Sequence, residues 1–433
     1  MSTRNSENAA VPTSIERLTP HERAANADVL LNTICEDAWG EVSEVTERLR
    51  GAGFGPGSWP TWERLSAVPV LSKSSFAERQ RHDPLLGGLA PRHRRPEAIF
   101  MSPGGILEPD MPAAEKRLAA LLSSAGMRPG DVVLNGFGYH FTPAGMLFDR
   151  ALRRLGCTVL AGGGQNTELL IEYMLRTRAT GFVGIGSHLK IIIEQAEAQG
   201  LEVGVHLPLR IAMVGAEPMT GGVRQMLRER YHIHSFDLYG TADVGLVAGE
   251  CEHICGLHLH PEVLAEVVDP VSGDRLHAGE VGELVLTVAN PDYPMLRYGT
   301  GDLATLSEEA CACGRTTPRI TGVVGRVGNS ARVRGMLLYE HVIRRMLETF
   351  PEVQGCLVEI SRDGDRDRLV GSVALVQPWA GEQIEAFKEA FKSQCRLRLD
   401  EVLELADSDA IEGVTLRDLR FSSGDDSVPS RGK

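Results

Sequence analysis

The feature that most constrains this chain is a repeated alternation in its middle. Five short apolar runs end in glycine or turn residues: "DVVLNGF" (131–137), "CTVLAGG" (157–163), "GFVGIG" (181–186), "LRIAMVGAE" (209–217) and "SFDLYG" (235–240). Amphipathic stretches with helical spacing lie before and between them, among them "AEKRLAALLSSAG", "ELLIEYMLRTR", "LKIIIEQAEAQG" and "VRQMLRERY". Runs this short and this apolar are buried on both faces when helices cover a sheet. Strands alternating with helices build a largely parallel sheet, with ligands near the strand C-termini. The expected class is α/β.

The pattern changes after Cys251. "VLAEVVDP", "GELVLTVA" and "DLATL" read as antiparallel strands with turns at "SGD" and "AGE". Further on, "YEHVIRRMLETF" is a helix, "GCLVEISRDGDRDRLVGSVALV" a hairpin around "RDGDRDR", and "GEQIEAFKEAFKSQCRLR" another helix. This divides the chain into a large domain, residues 1–325, and a small α+β domain, 326–433. Ahead of the alternating units, residues 14–50 are helical in pattern. A proline-punctuated connector with two tryptophans follows, then a helix start at 72–75.

A chain of 433 residues is too long for one simple core. Its net charge of −13 argues against general binding to nucleic acid or anionic membranes. The first residues, "MSTRNSENAAVPTS", contain no apolar secretory core, and no run approaches a membrane span. A cytoplasmic, reducing setting is expected, where clustered cysteines read as metal ligands or free thiols. Cys251, His258, Cys311 and Cys313 are the candidate set. Three thiolates and one imidazole make a closed tetrahedral zinc site with no open position for water. Cys255, His253 and His260 compete as ligands, and buried free thiols are the alternative.

The stretches "FDLYGTADVGLVAGEC", "GLHLHPEVLAEVVDPVSGDRLHAGEVGELVLT", "PMLRYGTGDL" and "CACGRTTPRITGVVGR" occur in an order that resembles the adenylate-forming enzymes, most closely the phenylacetate–CoA ligase branch. The resemblance runs over nearly the whole chain. It implies a large multi-sheet domain with a small mobile C-terminal lid. It also implies a ligase that uses ATP to turn a carboxylate into an acyl-adenylate, which a thiol then attacks. Adenylation supplies the leaving group that a carboxylate lacks. By the same resemblance, Asp237 accepts from the adenine amino group, and Tyr239 and Gly240 wall the acyl pocket beside the α-phosphate. Asp243 stands where the family carries the glutamate that binds Mg2+. "VGAEPM", with Gly215, Ala216, Glu217 and Pro218, resembles the adenine-stacking segment, and Leu238 and Thr241 lie in the same nucleotide strand. Asp302, read on a turn, offers two acceptor oxygens to the two ribose hydroxyls. Arg326 reaches the ribose or phosphate at the hinge. The zinc set also resembles one found in some related ligases.

The sequence departs from the family at three further places. In "MSPGGILEPDMP" the residues Ser102, Gly104 and Gly105 fit a phosphate loop, but Glu108 stands where lysine is expected. Gly328 and Asn329 replace the hinge aspartate. The lid lysine is matched only by the final "VPSRGK", which makes Lys433 the catalytic candidate. On the substrate side the resemblance points to Tyr139, His140, Phe141, Ser187 and His188, together with Gly215, Tyr239 and Gly240, with Phe141 suited to stacking on a flat ring. The implied partners are a small aromatic carboxylic acid, coenzyme A or the pantetheine of an acyl-carrier protein, and a second copy of the chain in a homodimer. The implied cofactors are ATP, Mg2+ and structural Zn2+. The competing reading is a degenerate member that binds nucleotide or acyl-adenylate without catalysing adenylation.

Overall fold

The computed structural model of the chain describes residues 13–82, 86–102, 105–270, 272–327, 330–334, 336–405, 411 and 413–420. The chain divides into two compact units, Met1–Val323 and Val324–Lys433.

In the large unit the predicted alternation becomes the parallel half of an 11-stranded sheet. From the edge inward its strands are Thr158–Ala161, Val132–Asn135, Gly181–Gly184, Ile211–Val214 and His234–Thr241, all parallel. Period-two geometry explains why these runs carry no polar face. Val133, Val183 and Met213 enter one buried cluster, while their neighbours Leu134, Phe182 and Ala212 enter another. Helices Pro112–Ser124 and Ala144–Leu155 supply the first cluster. Helices Thr167–Thr177, Gly186–Ala198 and Gly221–Arg230 supply the second. Local capping fixes where the helices begin: the side chain of Asn166 accepts from Leu169 N, and that of Thr220 from Val223 N.

The sheet continues through the antiparallel strands Gly245–Gly249, Leu257–Leu259, Arg319–Arg326, Met295–Ser307, Gly282–Val288 and Val263–Val268. Here one expectation is corrected. "RYGTGDL" is not a turn but part of the long strand Met295–Ser307. The glycines mark a bulge: while this strand runs from Leu303 to Gly299, its partner moves only from Glu283 to Val285. The strand is anchored by the buried Arg297. Its guanidinium donates to Glu266 Oε2, to the Ser66 and Val68 carbonyls and to the Gly273 carbonyl, at 2.6–3.0 Å. An arginine this buried is tolerated only because its charge is paired and its donors are used. The N-terminal helices Pro20–Ala38 and Ser43–Gly51 pack their apolar faces into a further cluster that includes Leu31, Leu49, Leu65 and Leu296.

The small unit is built on the hairpin Val353–Asp363 and Arg366–Leu375, closed where Asp363 pairs with Arg366. Parallel strands Glu401–Leu405 and Gly413–Asp418 flank it. Helices Glu340–Leu347 and Gly381–Cys395 contribute Ile343, Met346, Phe387 and Phe391 to its core. Arg334 holds the ribbon Ser330–Val333/Met336–Tyr339 to this hairpin by donating from its guanidinium to the Asp367 carbonyl at 2.8 Å.

Candidate functional site

The C-terminal ends of the parallel strands gather three of the predicted nucleotide segments. The loop after Ile211–Val214 carries Gly215, Ala216, Glu217 and Pro218. Ala216 has φ +70, a left-handed conformation that costs an L-residue roughly 1–2 kcal/mol. Tertiary bonds hold the strained loop: Ser187 N donates to Glu217 Oε1 at 3.0 Å, and Met219 N donates to both Asp237 oxygens at 3.3 and 3.4 Å. Asp237, Leu238, Tyr239, Gly240 and Thr241 follow one another along His234–Thr241. The strand turns irregular between Tyr239 and Gly240. There only glycine fits, because a Cβ on Gly240 would lie 2.3 Å from the Gly245 carbonyl oxygen.

Tyr239 reaches across to the antiparallel half and donates its hydroxyl to Asp302 Oδ2 at 2.7 Å. Asp302 sits at the strand bulge and is 8 % exposed, not on an open turn. Its backbone N donates to Thr300 Oγ1. Asp237 is half-buried in a polar network: Arg224 donates to its Oδ2 at 3.0 Å and to Glu250 Oε2 at 2.9 Å, and Asp237 N donates to Glu250 Oε2 at 2.7 Å. Burial, then Glu250, push the Asp237 carboxyl up to about 7, against the opposing pull of Arg224.

Asp243 does not have the setting of a phosphate-bound metal ligand. It is fully buried and its Oδ2 accepts from Lys73 Nζ at 2.9 Å, so an ammonium already occupies that side of the carboxylate. Lys73 opens helix Lys73–His82, and the sequence reading missed it because one lysine at a helix start carries no spacing signal. Glu108 is also turned inward. It lies opposite Phe100 on strand Leu107–Pro109, is 0 % exposed, and among the described residues has no hydrogen-bond partner of normal geometry on either oxygen. Burial first, then the neighbouring Asp243, push its carboxyl up to about 8, with Ser102 and Lys73 opposing.

This makes stability pH-dependent in a defined direction. A carboxyl whose folded pKa lies above its unfolded value binds more protons in the folded state, so folding loses stability as pH rises from about 4.5 to about 8. Glu108→Gln is expected to flatten that slope and to stabilise the protein at pH 8.5 by on the order of 2–4 kcal/mol. Denaturant titrations of both proteins at pH 5.5 and 8.5 check this. Parallel pH profiles would remove the assignment.

The substrate-side residues are not all available. Tyr139 accepts from Asn135 Nδ2 and donates to Asp149 Oδ2, both at 3.0 Å, so its hydroxyl is committed within the fold. Phe141 is 55 % exposed at φ +64, and its carbonyl accepts from Met101 N at 2.7 Å. His140 is exposed, while Ser187 and His188 are half-buried near the start of helix Gly186–Ala198. Burial lowers the His188 pKa.

The cysteines converge as expected, with one change of membership. Cys251, Cys255, His258 and Cys311 place one donor atom each within 4.8 Å of one another. Cys255, a competitor in the sequence reading, thus joins the set. Cys313 stands beside it, with its Sγ 3.5 Å from His258 Nε2. The Cys251–Cys311 sulfur separation is 3.7 Å, and an edge of a tetrahedral Zn–S site with bonds of about 2.3 Å is about 3.8 Å. The other ring nitrogen of His258 lies 3.3 Å from Thr317 Oγ1, a contact of the kind that orients a metal-binding imidazole. Gly256, at φ +111 and with no room for a Cβ beside the Ile320 carbonyl, makes the turn between Cys255 and His258. The donor set fits zinc.

Arg326 ends strand Arg319–Arg326 and is half-buried. Gly104, Gly328, Asn329 and Lys433 lie outside the described residues, while Ser102 is buried and Gly105 has φ +77. Among the described residues no helix is long and apolar enough to cross a membrane.

No protein-family model matches the chain. It is 30 % identical over 344 residues to a phenylacetate-coenzyme A ligase of Thermus thermophilus, covering 76 % of each protein. It is 28 % identical over 356 residues to one of Pseudomonas putida, covering 78 % of each. Among solved structures, a 2-hydroxyisobutyryl-CoA ligase in complex with 2-HIB-AMP and CoA superposes with a TM-score of 0.82 at 20 % identity, over 95 % of both chains, a likeness of fold.

Proposed function

We propose the function of this chain from one premise: it belongs to the phenylacetate–coenzyme A ligase family of adenylate-forming enzymes. On that premise it is an AMP-forming acid–thiol ligase. A carboxylate attacks the α-phosphate of ATP and releases pyrophosphate. A thiol then displaces AMP from the acyl-adenylate and leaves a thioester. The observation that carries this reading is the Tyr239–Asp302 hydrogen bond. It brings two motifs, 63 residues apart, to one place beside the strained 215–218 loop. Asp302 would hold the ribose, Asp237 the adenine amino group, and the loop one face of the base.

The acid is an aryl acid, a preference supported by the exposed ring of Phe141. Coenzyme A or a carrier-protein pantetheine supplies the thiol. Lys433 is the lid group for the α-phosphate, and its deletion is expected to lower adenylation roughly a hundredfold. Thioester formation from a chemically made acyl-adenylate should survive that deletion. Equal loss of both steps would point instead to a damaged small domain. The buried, lysine-paired Asp243 gives no support to a Mg2+ ligand there. Zinc in the cysteine cluster would supply cross-linking alone, since a closed thiolate site leaves no position for substrate.

The test is acid-dependent ATP–pyrophosphate exchange over a panel of aryl and short aliphatic acids. Exchange with an aryl acid supports the reading. AMP binding without exchange for any acid would favour a nucleotide-binding member without adenylation, a second reading that the inward Glu108 and the Lys73–Asp243 pair keep in view.

A further inference from the structure

The network behind Asp237 does more than fill space. Arg224 projects from helix Gly221–Arg230 and spends its guanidinium on three acceptors: the Ser235 carbonyl at 2.8 Å, Glu250 Oε2 at 2.9 Å and Asp237 Oδ2 at 3.0 Å. Glu250 follows strand Gly245–Gly249 and is itself buried. Its Oε2 also accepts from Asp237 N. Asp237 is therefore clamped from the backbone side and from the Oδ2 side. Among the described residues, Oδ1 receives only the long bond from Met219 N, at 3.3 Å. That oxygen keeps capacity for one more donor.

Resting on the proposed nucleotide site, we infer that Arg224 and Glu250 are positioning residues that set the purine selectivity of the chain by fixing the protonation state of Asp237. An ionised Asp237 is an acceptor and suits the 6-amino group of adenine. A protonated Asp237 offers an O–H, which suits the 6-oxo group of hypoxanthine. The proton is thus a choice between two bases. The groups facing Asp237 are Arg224, Glu250 and Glu217, together with Met219 N from the loop. Burial, Glu250 and Glu217 favour the protonated form, while Arg224 and Met219 N favour the ionised form. With these opposed, the carboxyl titrates at about 7. It is poised where a single neighbouring charge decides the outcome.

The experiment measures affinities of AMP and IMP by calorimetric titration from pH 6 to 9, for the wild type and three variants. In the wild type the AMP-to-IMP preference should rise with pH through a midpoint near 7. Arg224→Gln should move that midpoint up by roughly 1–3 units and reduce the AMP preference at pH 7.5 by about tenfold or more. Arg224→Lys should bring it back towards the wild type. Glu250→Gln should move it the other way, downward. The opposite sign keeps the inference testable should Arg224→Gln fail to fold. Equal weakening of AMP and IMP with an unmoved midpoint would reduce the pair to a structural role and overturn the inference. A wild type that binds both nucleotides with a preference that does not vary with pH would overturn it while leaving the nucleotide site standing. A wild type that binds neither nucleotide would overturn the proposed function, and the inference with it.

Discussion

Cys311→Ser protein is expected to purify without zinc and to unfold far more readily than the wild type, which should carry about one zinc per chain. Cys311 is the hub of the cluster. Its sulfur lies 3.7 Å from Cys251 and 3.2 Å from Cys255, and the residue is buried. The cluster ties together three separate segments: the turn after Gly245–Gly249, the turn before and strand Leu257–Leu259, and the loop that leads into Arg319–Arg326. A fourth segment leans on it. Arg315 donates from Nε to Glu16 Oε1 at 2.7 Å and lies 3.6 Å from Cys313 Sγ through Nη1, while Thr316 N donates to the Glu16 carbonyl. The Cys311→Ser change would remove the sulfur that contacts both Cys251 and Cys255, and with it the closed donor set that holds these segments together. The expected loss is on the order of 3–5 kcal/mol. Elemental analysis gives the metal content, and unfolding half-lives at fixed temperature give the stability without assuming reversibility. Cys255→Ser and Cys313→Ser, measured beside it, identify the fourth ligand, because the spare thiol should be replaceable at little cost. A wild type free of metal and as stable as the variant would end the zinc assignment.

What the sequence made legible, and what it hid, follows from how far each feature reaches along the chain. The parallel strands were readable because their signal is local: a few apolar residues with a turn at the end. The same holds for the hairpin closing at Asp363 and Arg366. Asp302 was found as a residue but placed in the wrong conformation. Two nearby glycines read as a turn, yet the bulge opposite Glu283 and Val285, and the anchoring of Arg297, depend on segments far away. Glu108 was expected to face phosphate, since its position relative to "SPGG" says nothing about which way a short strand turns. The partner of Asp243, Lys73, lies 170 residues away, and no spacing rule connects the two. Cys255 was separated from the first-choice ligands only by the turn at Gly256, whose geometry the sequence does not print.

Asp302→Ala is expected to lower AMP affinity by roughly a hundredfold to a thousandfold while leaving the fold in place. The carboxylate is buried and fixed by its backbone bond to Thr300 and by the Tyr239 hydroxyl on Oδ2. In the proposed site it accepts from both ribose hydroxyls, and two hydrogen bonds to a charged group contribute about 3–4 kcal/mol together. The fold should tolerate the change because the Tyr239 hydroxyl, which loses its acceptor, costs about 1–3 kcal/mol, less than the stability of a domain of this size. Tyr239→Phe separates the two roles. It removes the hydrogen bond that aims the carboxylate but keeps the acceptor, so AMP should weaken by only about tenfold. A 2′,3′-dideoxy analogue of AMP, which lacks both donors, should bind the wild type and Asp302→Ala with similar weakness. That comparison ties the loss to the ribose and not to a general disturbance. If AMP binds Asp302→Ala as it binds the wild type, or if the dideoxy analogue binds the wild type as tightly as AMP does, the ribose assignment is wrong. The nucleotide would then have to lie elsewhere on the strand ends.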